Sequence, residues 1–215
     1  TFDDWVWCVL YAPMPSYFDW VWDRPALAKY RYVRTVLQYL QWQDGGKRDR
    51  PWILKGIGHI ANLDALFATY PKATVVHVHR HPRQAMASMA KLAAHLWTFR
   101  VNPLDPHTVG ALQLQWYSAA MQRYLQTRER SQLDARILDV RYDQIRDEPM
   151  PVMREIYRRA GREMSAAAEQ AISQWHDDNE QHQHGKHEYT LEQFGLSEAR
   201  IDAAFAPYIK RFIAA

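Results

Sequence analysis

Cysteine is nearly missing from this chain of 215 residues: Cys8 stands alone. A single cysteine excludes an intrachain disulfide framework and points to a reducing compartment. Cys8 itself reads as a small buried apolar residue. Long apolar runs are missing too, because no stretch reaches the roughly 18 residues that a membrane-spanning helix needs. The N-terminus lacks the cationic start and apolar core of a signal peptide, so a soluble, cytoplasmic protein with no membrane span is expected. Nor is there an excess of one charge. With 27 Lys+Arg against 24 Asp+Glu, a formal charge of +3, the chain is not built to coat nucleic acid, and a small anionic ligand suits it better. Two catalytic signatures are absent as well: the G-x-S-x-G elbow of a Ser-His-Asp hydrolase and the G-x-x-x-x-G-K-[ST] phosphate loop. No internal repeat or linker interrupts the sequence, and its length fits one domain over residues 1–215.

Aromatic residues, by contrast, are plentiful, with nine Trp and twelve Tyr. Many fall in "WVWCVLYAPMPSYFDWVW", residues 5–22, where Trp5, Trp7, Trp20 and Trp22 read as core or pocket wall, since no basic amphipathic face accompanies them. The chain opens on Thr1 in mid-pattern, and an N-terminal truncation is expected.

From residue 51 onward, strands and helices alternate. PWILK (51–55) is a short apolar strand, and residues 59–69 place Ile60, Leu63, Leu66 and Phe67 on one helical face, closed by Pro71. ATVVHVH (73–79) is β-branched and reads as the next strand. Pro82 then opens a helix through Met86, Met89, Ala90, Ala93 and Leu96 to about residue 97. Residues 101–107 break the pattern. Leu112, Trp116, Ala120 and Tyr124 mark a long helix to about residue 130, followed by the strand ARILDVR (135–141) and a helix at 148–160 stopped by Gly161. The tail is helical to about residue 176, polar as a loop through 177–188, and helical again at about 198–212. The order β-α-β-α-α-β-α predicts an α/β fold with a parallel sheet.

Ligands in such sheets gather beyond the C-terminal strand ends, where helix N-termini point. That rule selects Lys55 to His59, Arg80 to Ser88, and Tyr142. Lys55 holds a charge over the mouth of the sheet, Gly56 and Gly58 let backbone approach a ligand closely, and His59 can act as a general base because imidazole titrates near neutrality. As bland alternatives, the same pair is a solvated lysine and a helix-start histidine. Arg80 beside the helix opened by Pro82 suits a doubly charged phosphate, with an ordinary surface charge as its alternative. His77, His79 and His81 alternate along one strand, and His182, His184 and His187 crowd the polar loop. No cysteine joins them, and no metal is expected. Arg154, Arg158, Arg159 and Arg162 read as a solvated helix face.

These residues resemble a family. "PWILKGIGHIANLDALFATYPKATVVHVHRHPRQAMASMAKL" (51–92) is similar to the core of bacterial sulfotransferases that use 3′-phosphoadenosine 5′-phosphosulfate (PAPS). Those typically read W-x-L-K-x-P-x-H, L-x-x-L, F-P-x-A, then a strand ending H-R-D-P with a serine eight residues past the arginine. Trp52, Leu54, Lys55, His59, Leu63, Leu66, Pro71, Ala73, His79, Arg80, Pro82 and Ser88 fall in place. "VRYDQIRDEP" resembles the family's Y-x-D-L-x-x-D-P stretch and "GKHEYTLEQFGLS" its G-x-H-x-Y-x-x-x-x-F-G-L motif. "RYVRTVLQYLQW" (31–42) resembles the helix before the first strand. The resemblance implies three α/β/α layers around a central parallel sheet, like a P-loop nucleotide kinase.

It further implies a sulfuryl transfer from PAPS to a hydroxyl of a small acceptor, aromatic or lipid-like, held near the Trp-rich segment. His59 would take the acceptor proton and Lys55 would neutralise charge on the transferring group. Arg80 and Ser88 would hold the 3′-phosphate, Tyr142 would sit near the adenine, and Lys186 would reach the same phosphate. Sulfuryl transfer of this kind rests on positioning and charge stabilisation, without a metal. Two departures stand out. The family's P-R-S-G-T-[ST] loop, which binds the 5′-phosphosulfate, and the strand before it do not occur in residues 1–215. His81 replaces the aspartate after the arginine, and Gly56-Ile57 replace Ser-Pro. The missing loop keeps a second expectation open: a non-catalytic nucleotide-binding or scaffolding module derived from the same fold.

Overall fold

The computed structural model of the protein describes residues 5–47, 50–179 and 190–214. Three helices come first: α1 (Trp5–Tyr11), α2 (Pro15–Trp22) and α3 (Leu27–Gln43). An extended segment leads into a 3₁₀ turn (Ile57–Asn62), α4 (Leu63–Thr69), β1 (Val75–His79), α5 (Pro82–Trp97) and α6 (Pro106–Arg130). β2 (Ile137–Arg141) follows, then α7 (Tyr142–Asp147), α8 (Pro149–Arg159), α9 (Ala166–Asp178) and α10 (Glu198–Phe212). β1 and β2 pair in parallel, with Val75 opposite Ile137, His77 opposite Asp139 and His79 opposite Arg141. The predicted α/β class with a parallel sheet is thus present, its two strands linked by the α5–α6 crossover.

The predicted strand at 51–55 does not form. Residues 51–56 join no sheet, and Ile53 is 91% exposed. Pro51 has no N–H to give a ladder, and no strand among the described residues lies alongside to accept the others; an apolar run without a partner cannot satisfy its backbone as a strand. The 59–69 helix is also divided. Its first turn is 3₁₀, and the α-helix begins at Leu63. Elsewhere the punctuation reads true. Pro82 sits in the first turn of α5, and Gly161 follows α8 at φ +65°, where the left-handed backbone ends a helix at low cost.

The larger core lies where α1, α2, α5, α6 and α10 meet. Phe18 stacks on Trp116 at 5.0 Å, and Trp97 and Trp116 cross at 6.3 Å, both almost wholly buried. Gly110 lets α6 pass against the turn at Glu192–Phe194: a Cβ there would lie 2.0 Å from the Phe194 carbonyl oxygen. The expectation for residues 5–22 divides accordingly. Phe18 and Val21 are core, whereas Trp20 is 49% exposed and carries the Arg24 guanidinium at 4.4 Å. A second apolar cluster joins Tyr30, Leu63, Leu66, Phe67, Tyr124 and Ile137, and so ties α3 and α4 to α6 and the sheet.

Between these cores the inner face of β1 is polar. His77 and His79, two residues apart and therefore on one face, have ring centroids 4.1 Å apart, tilted at 44°, and point at Tyr124 of α6 and Tyr208 of α10. On the other face Val78 is 42% exposed. An ordinary parallel strand buries aliphatics on both faces; β1 instead buries hydrogen-bonding groups on the side that its helices cover.

Candidate active site

The predicted residues fall into two groups, one around the 3₁₀ turn at Ile57–Asn62 and one at the C-terminal end of β1. The first is built on the 3₁₀ turn. The His59 ring folds back over Gly56, so that a Cβ on Gly56 would lie 3.2 Å from Nε2. Its other nitrogen, Nδ1, lies 2.8 Å from the hydroxyl of Tyr30, a residue only 3% exposed. A buried phenol thus fixes the ring, and Nε2 turns toward the backbone that follows Lys55. Lys55 itself is exposed near the end of the segment that joins no sheet. Asn62 closes the turn by donating to the Gly58 carbonyl at 2.9 Å.

The second group sits at the end of β1. The Arg80 guanidinium lies 4.6 Å above the ring of Tyr142, the residue that follows β2, and its Nε donates to Gln84 Oε1 at 3.1 Å. Ser88 is half-buried one helical turn beyond Gln84, and positions i and i+4 share a face. Arg80, Gln84 and Ser88 therefore lie along one side of the start of α5, with Tyr142 as the platform for the arginine. Gln84 was missed by the sequence reading; its spacing of four from Arg80 was the available signal.

His81, which departs from the family's aspartate, caps α5: its Nδ1 accepts the Arg83 N–H at 3.2 Å. An aspartate in that place would accept the same bond, so the helix start is preserved with one negative charge fewer. The role of His81 at the cap also separates it from the face shared by His77 and His79. Arg83 reaches the opposite way, to Asp202 (Nε to Oδ1, 2.8 Å) and Glu198, and clamps α5 to α10.

Behind Arg80 lies a buried polar chain. Arg128 of α6, only 2% exposed, donates to both oxygens of Asp139 (2.7 and 2.9 Å), to Asp134 and to the Tyr124 hydroxyl. Asp139 accepts from His79 Nε2 at 2.8 Å, and His79 Nδ1 meets the Tyr208 hydroxyl at 3.0 Å. Burial alone would raise the Asp139 carboxyl, yet the hydrogen bonds from His79 and Arg128 outweigh it and hold the group well below the usual carboxylate range. For Arg128, burial works against the charge, and Asp139 and Tyr124 reverse that, leaving its pKa raised. Burial, with the neighbouring His79 and Arg128, lowers His77 from 6.5 to about 3. Among the described residues, His77, His79 and Asp139 offer ligand atoms within 4.8 Å of one another, the spacing a metal ion needs. Asp139 and both nitrogens of His79 are already engaged, and Arg128 supplies the positive charge there.

Lys186 and His182, His184 and His187 lie outside the described residues, as does the side chain of Cys8. Arg154, Arg158 and Arg159 are held by Glu169 and Glu155 on the outer faces of α8 and α9. That matches the solvated face expected of them. A small recess, lined by Trp22, Arg24, Lys29, Asn62 and Arg123, opens beside the turn that carries His59. No helix of the described residues is long and apolar enough to cross a membrane.

Comparison with known proteins gives the same direction. A family model described as the sulfotransferase family matches residues 4–166. The crystal structure of the sulfotransferase STF1 from Mycobacterium tuberculosis H37Rv is similar over 90% of this chain and 48% of its own, at 31% identity and a TM-score of 0.72. That of the sulfotransferase STF9 from Mycobacterium avium is similar over 94% of this chain and 51% of its own, at 28% identity and a TM-score of 0.82. The chain thus spans about half the length of the solved structures it matches. No curated protein sequence gives a significant match.

Proposed function

The chain belongs to the sulfotransferase family, and from that premise we propose that it moves a sulfuryl group from PAPS to a hydroxyl of a small acceptor. The observation that supports this most is the arrangement at the end of β1, where Arg80 is held between the Tyr142 ring and Gln84 with Ser88 on the same helix face. A guanidinium that is positioned but not ion-paired by its Nε contact suits the 3′-phosphate that distinguishes PAPS from ATP-like nucleotides. Tyr142 contributes by holding that guanidinium and would sit near the adenine. Lys186 would supply a second cation to the same phosphate.

In the reaction, the acceptor oxygen attacks sulfur while the bond from sulfur to the 5′-phosphate oxygen breaks, leaving adenosine 3′,5′-bisphosphate. His59 removes the acceptor proton. With Nδ1–H donating to the Tyr30 oxygen, Nε2 would be the nitrogen that takes it. That tautomer is assigned from the hydrogen-bond pattern. Lys55 offsets the negative charge that gathers on the transferring group. An aromatic or lipid-like acceptor would meet Trp22, which lies beside His59's turn across a small recess.

Calorimetric titration with adenosine 3′,5′-bisphosphate tests the donor site. Charged hydrogen bonds of this kind are worth about 1.5–3 kcal/mol, so Arg80→Ala should weaken binding by about 10- to 100-fold. Unchanged affinity in that variant removes the phosphate assignment. The rival reading is a nucleotide-binding or scaffolding module of the same fold. It predicts nucleotide binding without sulfate transfer from PAPS to any member of a phenol and alcohol panel.

A further inference from the structure

The buried chain behind β1 ends at His79, the residue that precedes Arg80. Tyr208 of α10 is 4% exposed, and its hydroxyl meets His79 Nδ1 at 3.0 Å. One assignment of hydrogens satisfies this path: Arg128 donates to Asp139, His79 Nε2–H donates to Asp139, and Tyr208 O–H donates to His79 Nδ1. A second hydroxyl, that of Tyr124, accepts from Arg128 at 2.7 Å and meets His77 Nδ1 at 2.6 Å, but it makes no part of the path to Arg80.

Resting on the assignment of Arg80 to the 3′-phosphate, we propose that Tyr208 is a positioning residue for donor binding: its hydroxyl, braced through His79 and Asp139 on the Arg128 guanidinium, sets the backbone from which Arg80 projects. Three features of the molecule argue for this role. Arg80 follows His79 directly, so the residue that Tyr208 and Asp139 hold is one peptide away from it. The brace is anchored at a fully buried guanidinium, whose planar fork holds Asp139 through two bonds and resists rotation. And α10 is drawn onto this site by the clamp of Arg83 on Asp202 and Glu198, three residues downstream of Arg80, so the helix that carries Tyr208 is tied at the same place it reports to. Side chains that position a binding group within a fraction of an ångström need such locked support.

Tyr208→Phe keeps the ring against His79 and Phe212 and deletes only the hydroxyl. Binding of adenosine 3′,5′-bisphosphate and of adenosine 5′-monophosphate, which lacks the 3′-phosphate, is titrated for the wild type, Tyr208→Phe, Arg80→Ala and the double variant, with amide hydrogen exchange at Arg80 as a readout that needs no ligand. The expected result is a loss of about 3- to 10-fold for the bisphosphate, the worth of one hydrogen bond, with the monophosphate unchanged and the double variant no weaker than Arg80→Ala alone. Exchange at the Arg80 amide should rise while other β1 amides keep their protection. Tyr124→Phe removes a hydroxyl from the same network and should leave the preference for the bisphosphate intact. The proposal is overturned if both nucleotides weaken equally, if the losses add in the double variant, if Tyr124→Phe has the same effect, or if Arg80 exchange does not respond. Bisphosphate affinity that survives Arg80→Ala overturns it by removing the phosphate role, and is told apart because Arg80 exchange still responds to Tyr208→Phe.

Discussion

The two ends of chain that carry the candidate chemistry are supported in opposite ways. At the end of β1, Arg80 emerges from a strand whose neighbours are all committed: His79 to Asp139 and Tyr208, Asp139 to Arg128, and the arginine itself to Tyr142 and Gln84. Near the end of residues 51–56, Lys55 emerges from a segment that joins no sheet, and His59 is held by the buried Tyr30 phenol and by the turn that carries it. A group that binds a phosphate gains from a rigid base, because affinity depends on a pre-set geometry. A base and a cation that act on a passing group need proximity and the right protonation state more than rigidity. The fold therefore places most of its buried polar structure behind one of the two groups.

Four experiments break or sharpen that contrast. The largest effect belongs to His59→Ala. If His59 takes the acceptor proton, the rate of sulfate transfer should fall by about 10² to 10⁴, the usual worth of a general base, while urea unfolding shifts by only about 1 kcal/mol for the lost Tyr30 contact. A loss of stability as large as the loss of rate would show the histidine to be structural. Next comes Asp139→Ala, which leaves the buried Arg128 with part of its countercharge gone. Breaking such a pair costs about 3 kcal/mol in unfolding free energy, and a neutral result would mean that the end of β1 is no more braced than the segment at 51–56.

A smaller effect is expected from pH. His77 titrates at 6.5 in the open chain and about 3 in the fold, so below pH 6.5 the unfolded chain binds the extra proton and the fold loses stability as pH falls. One proton is worth about 1.4 kcal/mol per pH unit, and the loss between pH 6 and pH 4 should be about 2 kcal/mol. Asp139 has the same sign: held below the usual carboxylate range, it contributes stability that is full above about pH 4 and lost as pH drops further. His77→Gln should flatten unfolding free energies over pH 6 to 4; a slope that persists in the variant assigns the acid lability elsewhere. Smallest of all is Ile53→Ser. With 91% of its surface already in water, the substitution should change unfolding by less than about 0.5 kcal/mol, and a larger cost would mean that the segment is packed in solution.

Much of this organisation is legible in the residues alone. Helical spacing located α5 and α6, a β-branched run located β1, and Pro82 and Gly161 fixed two helix boundaries, because each of these signals is local. PWILK misled for the opposite reason. An apolar run becomes a strand only when another strand satisfies its backbone, and that partner is a tertiary fact. The same limit applies to the site. His59, Arg80 and Tyr142 could be singled out because strand ends face ligands, but Tyr30, Asp139, Arg128 and Tyr208, which hold them, are separated by up to 129 residues and join only through packing. The alternation of His77 and His79 was visible, whereas the partners that engage them, Tyr124, Asp139 and Tyr208, were not.

A crystal structure of the protein with adenosine 3′,5′-bisphosphate tests the donor assignment most directly. The account predicts the 3′-phosphate within hydrogen-bond reach of the Arg80 guanidinium and the Ser88 hydroxyl, at about 2.7–3.1 Å, with the 5′-phosphate directed toward Lys55 and His59. A nucleotide bound with its 3′-phosphate away from Arg80, or no nucleotide bound at millimolar concentration, would contradict it.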